Sequence, residues 1–131
     1  MLRTAIKEIF TNPEKFADKE VTVCGWARTI RASNAFGFIE LNDGTSFKHL
    51  QIVIDFHTHI LHGMDDGSDS VEASVRMLEK AYRRGTDMAV LTPHCYPKTN
   101  DDIIRFVEYR NESFEQLKKA CTGKRVPEML L

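Results

Sequence analysis

Residues 54–67 read Ile-Asp-Phe-His-Thr-His-Ile-Leu-His-Gly-Met-Asp-Asp-Gly. A short apolar run, Gln51 to Phe56, has the character of a buried strand and leads directly into His57, Thr58 and His59. Side chains alternate across a strand, so His57 and His59 project from one face. Asp65, Asp66 and Gly67 follow in the next loop, and a second apolar run, Met88 to Leu91, ends in Thr92-Pro93-His94. Two strands with histidines at their C-terminal ends, and an acidic loop, are how a parallel α/β fold builds a metal site.

Outward from this stretch, the chain beyond Asp55 alternates helix and strand. Ser68 or Ser70 can cap a helix with Glu72 in its first turn, and Val71, Val75, Leu78 and Tyr82 form one apolar stripe. Arg83 and Arg84 suit the negative end of that helix, and Gly85 its stop. Met88 to Leu91 is the next strand. Asn100 or Asp101 caps a second helix, with Ile103, Ile104, Val107, Phe114, Leu117 and Cys121 on its buried side and Gly123 at its end. Val126 to Leu131 approaches a third strand.

The segment before Asp55 has a different rhythm. Arg3 to Phe10 has the spacing of a short amphipathic helix through Ile6, Ile9 and Phe10, and Asn12-Pro13 breaks it. Glu20 to Arg31 reads as a long strand in which Val21, Val23 and Trp26 alternate with polar neighbours. Ala32-Ser33-Asn34 is a turn, Phe36 to Leu41 a second strand closed by Asn42-Asp43-Gly44, and Leu50 to Phe56 a third. The fold class is therefore α/β in the mixed α+β sense, with a three-strand meander in residues 1–54 joined to a βαβα series in residues 55–131.

Bulk composition narrows the function classes. The chain has 131 residues, 28% of them charged, and a net charge of −1, which offers no general electrostatic case for nucleic acid or membrane binding. Residues 1–54 carry 7 basic and 6 acidic side chains and residues 55–131 carry 11 and 13, so charge is not segregated. Cys24, Cys95 and Cys121 are scattered and make no CxxC, which argues against a zinc knuckle or a disulfide framework. Met1 to Phe10 lacks the apolar core of a signal peptide, and no apolar stretch reaches the roughly 20 residues of a membrane span. The expected compartment is the cytoplasm.

Two resemblances divide the chain. Val21-Thr22-Val23-Cys24-Gly25-Trp26-Ala27-Arg28, Phe36 to Gly44 and Leu50-Gln51-Ile52-Val53 resemble the anticodon-binding OB domain of asparaginyl-tRNA synthetase, over about the first 54 residues. The resemblance implies a partial OB fold in which Arg31, Phe38 and Gln51 face a tRNA anticodon. An aromatic there stacks on exposed bases while Arg and Gln contact phosphates and base edges. Only three of the five strands of an OB barrel are supplied, so open edges are expected, and with them a homo-oligomer formed through those edges.

Residues 55–131 resemble the metal-dependent tyrosine-protein phosphatases of the PHP type that serve capsular polysaccharide synthesis. The resemblance rests on Asp55-Phe56-His57-Thr58-His59-Ile60-Leu61-His62-Gly63-Met64-Asp65-Asp66-Gly67 and Thr92-Pro93-His94. It implies part of a TIM-like barrel and metal ligands His57, His59, Asp66 and His94. It also implies a divalent metal, manganese first with zinc or iron as alternatives, and a phosphotyrosine protein as substrate. The family's further ligands are expected beyond Leu131. No catalytic side chain is assigned beyond the ligands. In particular Cys95 lacks the arginine six positions on that a cysteine phosphatase needs, since position 101 is Asp. His49 and His62 match no ligand and are expected at the surface.

Leu50 to His59 is thus at once the last strand of one pattern and the first of the other, which predicts one mixed sheet or two small lobes sharing a strand. Three functions compete on this reading: a metal-dependent phosphatase from the second half, a tRNA-binding module from the first, and a fusion fragment with neither activity.

Overall fold

The computed structural model describes residues 2–33 and 35–131. Asn34, the last residue of the expected Ala32–Asn34 turn, lies outside them. The elements are α1 (Ile6–Thr11), α2 (Pro13–Phe16), β1 (Trp26–Ala32), β2 (Phe36–Asn42), β3 (Leu50–Thr58), α3 (Val71–Arg83), β4 (Met88–Leu91), α4 (Asn100–Ala120) and β5 (Glu128–Leu130). The strands follow chain order in a five-stranded mixed sheet. Two compact units divide the chain, Met1–Val53 and Ile54–Leu131, and β3 runs through the boundary.

In the first unit β1 and β2 pair antiparallel from Trp26 opposite Asn42 to Ala32 opposite Gly37, with an irregularity between Ala27 and Thr29. The strand expected from Glu20 begins only at Trp26, because β2 ends at Asn42 and offers nothing for earlier residues to pair with. The expected alternation of burial is also missing: every residue of β1 is exposed. Among the described residues of this unit, Ile6 is the fully buried apolar side chain. Its helix is capped from a distance. The Asp43 carboxylate accepts from the Ile6 N–H at 2.9 Å, and Thr45 Oγ1 accepts from the Lys7 N–H at 3.1 Å. These bonds satisfy donors that a helix N-terminus otherwise leaves open.

In the second unit β3 pairs parallel with β4, Ile54 opposite Met88 and Thr58 opposite Leu91, and β4 pairs parallel with β5. Its core gathers Ile60, Leu61, Val75, Leu78, Ala89, Leu91, Leu117 and Cys121. Ser70, not Ser68, caps α3 by accepting from the Ala73 N–H. Ser68 instead joins the buried Ser74 hydroxyl, which lies 2.5 Å from the Ile60 carbonyl and 2.8 Å from Ser68 Oγ and so pins the chain leaving β3.

Two expectations for α4 are corrected. Its cap is Thr99 rather than Asn100 or Asp101: the hydroxyl accepts from the Asp102 N–H while the Asp102 carboxylate accepts from the Thr99 N–H, a reciprocal capping box. Its buried side is also shorter than the apolar stripe. Ser113, Leu117 and the following Cys121 are buried, whereas Ile103, Ile104 and Val107 are exposed. The helix has 21 residues, about 31 Å at the usual rise. α3, which packs against it, has 13 residues, about 20 Å, so α4 runs past the helix that covers it.

Candidate functional site

Parallel pairing sets the C-terminal ends of β3 and β4 side by side. The backbone keeps them so beyond the last pair: the Thr92 N–H donates to the Thr58 carbonyl at 3.0 Å, and Thr58 Oγ1 donates to the Val90 carbonyl at 3.0 Å. Thr58 is buried, which turns His57 and His59 together to the opposite face. Their Nε2 atoms are 3.1 Å apart. The His59 and His94 ring centroids are 4.5 Å apart, and those of His57 and His94 are 6.3 Å apart.

The loop after β3 folds back on this cluster. The Ser68 N–H donates to the His59 carbonyl at 3.1 Å, and the Gly63 N–H to the Ser68 carbonyl at 2.8 Å. The return is so close that a Cβ on Gly67 would stand 2.0 Å from the His59 carbonyl oxygen. Asp66 is thereby delivered to the histidines, and donor atoms of His59, Asp66 and His94 all lie within 4.8 Å of one another. His57 borders this trio through His59. Of the four residues the resemblance implied, three form the tight group and the fourth touches it.

Asp65, which the sequence reading left without a role, is the anchor. Its side chain is 5% exposed. Oδ2 is 2.6 Å from His59 Nδ1 and accepts from the His94 N–H at 2.9 Å, while Oδ1 accepts from the Gly67 N–H at 3.0 Å. Burial pushes its pKa up, but the His94 N–H, the His59 ring and the Gly67 N–H pull it further down, so it sits below the ordinary carboxylate value. One carboxylate therefore ties together the end of β3, the acidic loop and the segment after β4.

The donor set suits a divalent ion. Two imidazoles and a carboxylate are ligands that manganese, iron and zinc share. Ligand bonds of about 2.1 Å need donors roughly 3.0–4.2 Å apart, from right-angle to opposite ligands, so a span of up to 4.8 Å closes with small side-chain rotations. Tyr96, largely exposed, lies 5.5 Å from the His94 ring. Cys95 is exposed and unpaired. His49 is exposed, 3.5 Å from Glu40. His62 is half-buried instead of at the surface: its carbonyl accepts from the Ser113 hydroxyl at 2.9 Å, and its ring is 3.2 Å from Gln116 Oε1. It holds α4 to the loop after β3.

The first unit has a separate concavity. Arg31, Ala32, Ser33, Phe38 and Gln51 line an open hollow of about 400 Å³. Arg31 stands opposite Phe38 in the β1–β2 register and pairs with Glu40 at 3.2 Å. A partly exposed aromatic face beside a guanidinium and an amide can stack on a base and hydrogen-bond its edge.

Comparison with known proteins follows the same division. Residues 53–129 match the family described as capsular polysaccharide synthesis, CpsB/CapC. The N-terminal part is similar to asparagine–tRNA ligases. The ligase of Clostridium tetani is 56% identical over 55 residues, 42% of this chain and 12% of the ligase. That of Alkaliphilus metalliredigens is 47% identical over 79 residues, 60% of this chain and 16% of the ligase. That of Clostridium botulinum strain Eklund 17B is 58% identical over 50 residues, 38% and 11%. The chain thus spans a small fraction of the curated relatives it matches. No solved structure matches it significantly.

Proposed function

The chain belongs to the CpsB/CapC family of capsular polysaccharide synthesis, and we propose that its second unit is a metal-dependent protein-tyrosine phosphatase linked to capsule or exopolysaccharide production. The observation that carries this reading is the convergence of His59, Asp66 and His94 within 4.8 Å, with His57 against His59. These residues would hold a divalent cation, manganese first. When bound, such an ion polarises phosphoryl oxygens and lowers the pKa of water, which leaves a side-chain nucleophile unnecessary. The protein's own contribution is placement. β3 and β4 present the imidazoles, the Gly67 turn presents Asp66, and Asp65 orients His59 and His94. The substrate is a phosphotyrosine protein, and the site of action is the cytoplasm. No helix among the described residues is long and apolar enough to cross a membrane. The open edges of β1 and β5 support a homo-oligomer.

The test is hydrolysis of a phosphotyrosine peptide by the full chain with and without manganese. Metal-stimulated turnover lost in His59→Ala supports the proposal, and no turnover with manganese, zinc or iron ends it.

A second reading concerns the first unit: single-stranded RNA of the tRNA anticodon type binds the Arg31–Phe38–Gln51 concavity. It is supported by those three residues lining one hollow and by the similarity to asparagine–tRNA ligases. Binding of tRNA that weakens with salt and falls in Phe38→Ala supports it; no binding even at low salt removes it. A chain that shows neither turnover nor tRNA binding is a fusion fragment without either activity.

A further inference from the structure

Resting on the reading of the strand-end cluster as a metal site, we infer that Asp65 is a positioning residue that assigns opposite tautomers to His59 and His57, with Thr92 as the rotor that lets His57 change. Asp65 Oδ2 already accepts the His94 N–H at 2.9 Å, so its 2.6 Å contact with His59 Nδ1 needs the hydrogen on that nitrogen. A neutral ring with its hydrogen on Nδ1 carries the lone pair on Nε2. That lone pair meets His57 Nε2 at 3.1 Å, so His57 donates from Nε2 and keeps its own lone pair on Nδ1. The Thr92 hydroxyl donates to this Nδ1 at 3.0 Å, and its oxygen accepts from the Thr58 N–H at 3.1 Å. One chain of hydrogen bonds therefore runs from Asp65 through both imidazoles to Thr92.

The consequence is that His59 alone of the pair carries its lone pair on Nε2 before a cation binds, and the His57 hydrogen that this lone pair accepts must leave when one does. For His57 to present Nε2, its hydrogen must stand on Nδ1. The hydrogen on Nε2 leaves to water and one from water takes the Nδ1 position, so the ring stays neutral and nothing is oxidised. Thr92 must then accept from Nδ1 instead of donating to it. A second acceptor for its hydroxyl hydrogen is within reach, the Thr58 carbonyl at 3.3 Å. Asp65 has no such freedom, because its partners are all donors, and so His59 keeps one tautomer throughout.

The experiment is long-range proton–nitrogen NMR of the imidazoles in the full, metal-free chain, whose nitrogen shifts distinguish the two neutral tautomers from the doubly protonated ring. The expected result is the hydrogen on Nδ1 of His59 and on Nε2 of His57. Equimolar Zn²⁺ then moves the His57 hydrogen to Nδ1 and leaves His59 unchanged. In Asp65→Asn, His59 loses its preference for Nδ1 and Zn²⁺ binds ~10–100-fold more weakly. In Thr92→Val, His59 is unaffected while His57 loses its preference, and Thr92→Ser restores it. The same tautomer on both rings, the hydrogen on Nε2 of His59, or a His57 unmoved by bound Zn²⁺ overturns the inference. The first reading uses wild-type protein without metal or substrate. Predicted tautomers without phosphatase turnover therefore sink the functional proposal alone, and turnover with the wrong tautomers sinks this one alone.

Discussion

Replacing Gly67 by alanine isolates the part of the site that depends on backbone approach. The added Cβ would lie 2.0 Å from the His59 carbonyl oxygen and 2.6 Å from the His59 Cβ. Relieving the first contact to the 3.4 Å of ordinary packing moves the loop by about 1.4 Å. Neither neighbour is the free end of a flexible side chain, so the loop itself must give way. Two effects follow. Overpacking costs about 1–3 kcal/mol of stability, and the carboxylates of Asp65 and Asp66 leave His59 and His94, weakening divalent-metal binding by ~10–100-fold. Gly85→Ala is the control. Its φ of +88° strains an alanine by about 1–2 kcal/mol, but nothing lies within 4 Å of the new Cβ, and metal affinity stays at the wild-type level. Calorimetric Mn²⁺ titration and thermal melts of the two variants separate the effects. Wild-type Mn²⁺ affinity in Gly67→Ala would refute the claim that this close approach delivers the acidic residues.

Three further outcomes test the fold on which the site stands. Asp43 is held down to a pKa of about 2 from 3.8, chiefly by the Thr45 hydroxyl and then by the Ile6 N–H. Its stabilising contribution is thus complete above the unfolded value and lost as pH falls from 3.8 towards 2, and Asp43→Asn flattens that acid limb in the fluorescence of Trp26, the single tryptophan. Leu117 is fully buried in the second unit; Leu117→Ala lowers stability there by about 2–5 kcal/mol, measured by urea unfolding, and a loss below 1 kcal/mol refutes the packing described. Thr99→Ala removes half of a capping box and costs about 1 kcal/mol, seen as faster amide exchange in the first turns of α4; unchanged exchange there refutes the cap.

The sequence disclosed most where a signal was local. Met88 to Leu91 is found as β4 because four apolar residues stand between polar neighbours and a Thr-Pro break. The shared strand Leu50 to Thr58 was legible from two overlapping patterns, and Gly85 stops α3 in the positive-φ conformation expected of it. Signals that depend on a partner were hidden. Apolar spacing marks Ile103, Ile104 and Val107 as one face of α4, but cannot say that the shorter α3 packed against the helix leaves them exposed. Val21 and Val23 alternate like a strand, yet they precede β1 and belong to no strand among the described residues. Thr99 and Asp102 form a capping pattern, but the neighbouring Asn100 and Asp101 compete with it on paper.

The site divides in the same way. His57 and His59 were placed on one face by alternation alone, and parallel pairing brings His94 to them. The Asp65-Asp66 doublet could not be resolved from spacing: only the fold of the loop shows which carboxylate meets three donors and which faces the imidazoles. His62 carries the same ambiguity, since its tie to Ser113 spans 51 positions of chain.

Calorimetric titration of Mn²⁺ into the wild-type chain, His59→Ala, Asp66→Ala, His94→Ala and the two controls His49→Ala and His62→Ala tests most directly whether these side chains share one ion. Each of the first three substitutions should weaken binding ~10-fold or more, while His49→Ala, remote from the loop after β3, binds as the wild type does and His62→Ala, which loses only the ring contacts of that loop with α4, loses less than any of the three. Equal affinity across all of them, or no binding to the wild-type chain, would contradict a common metal centre at the ends of β3 and β4.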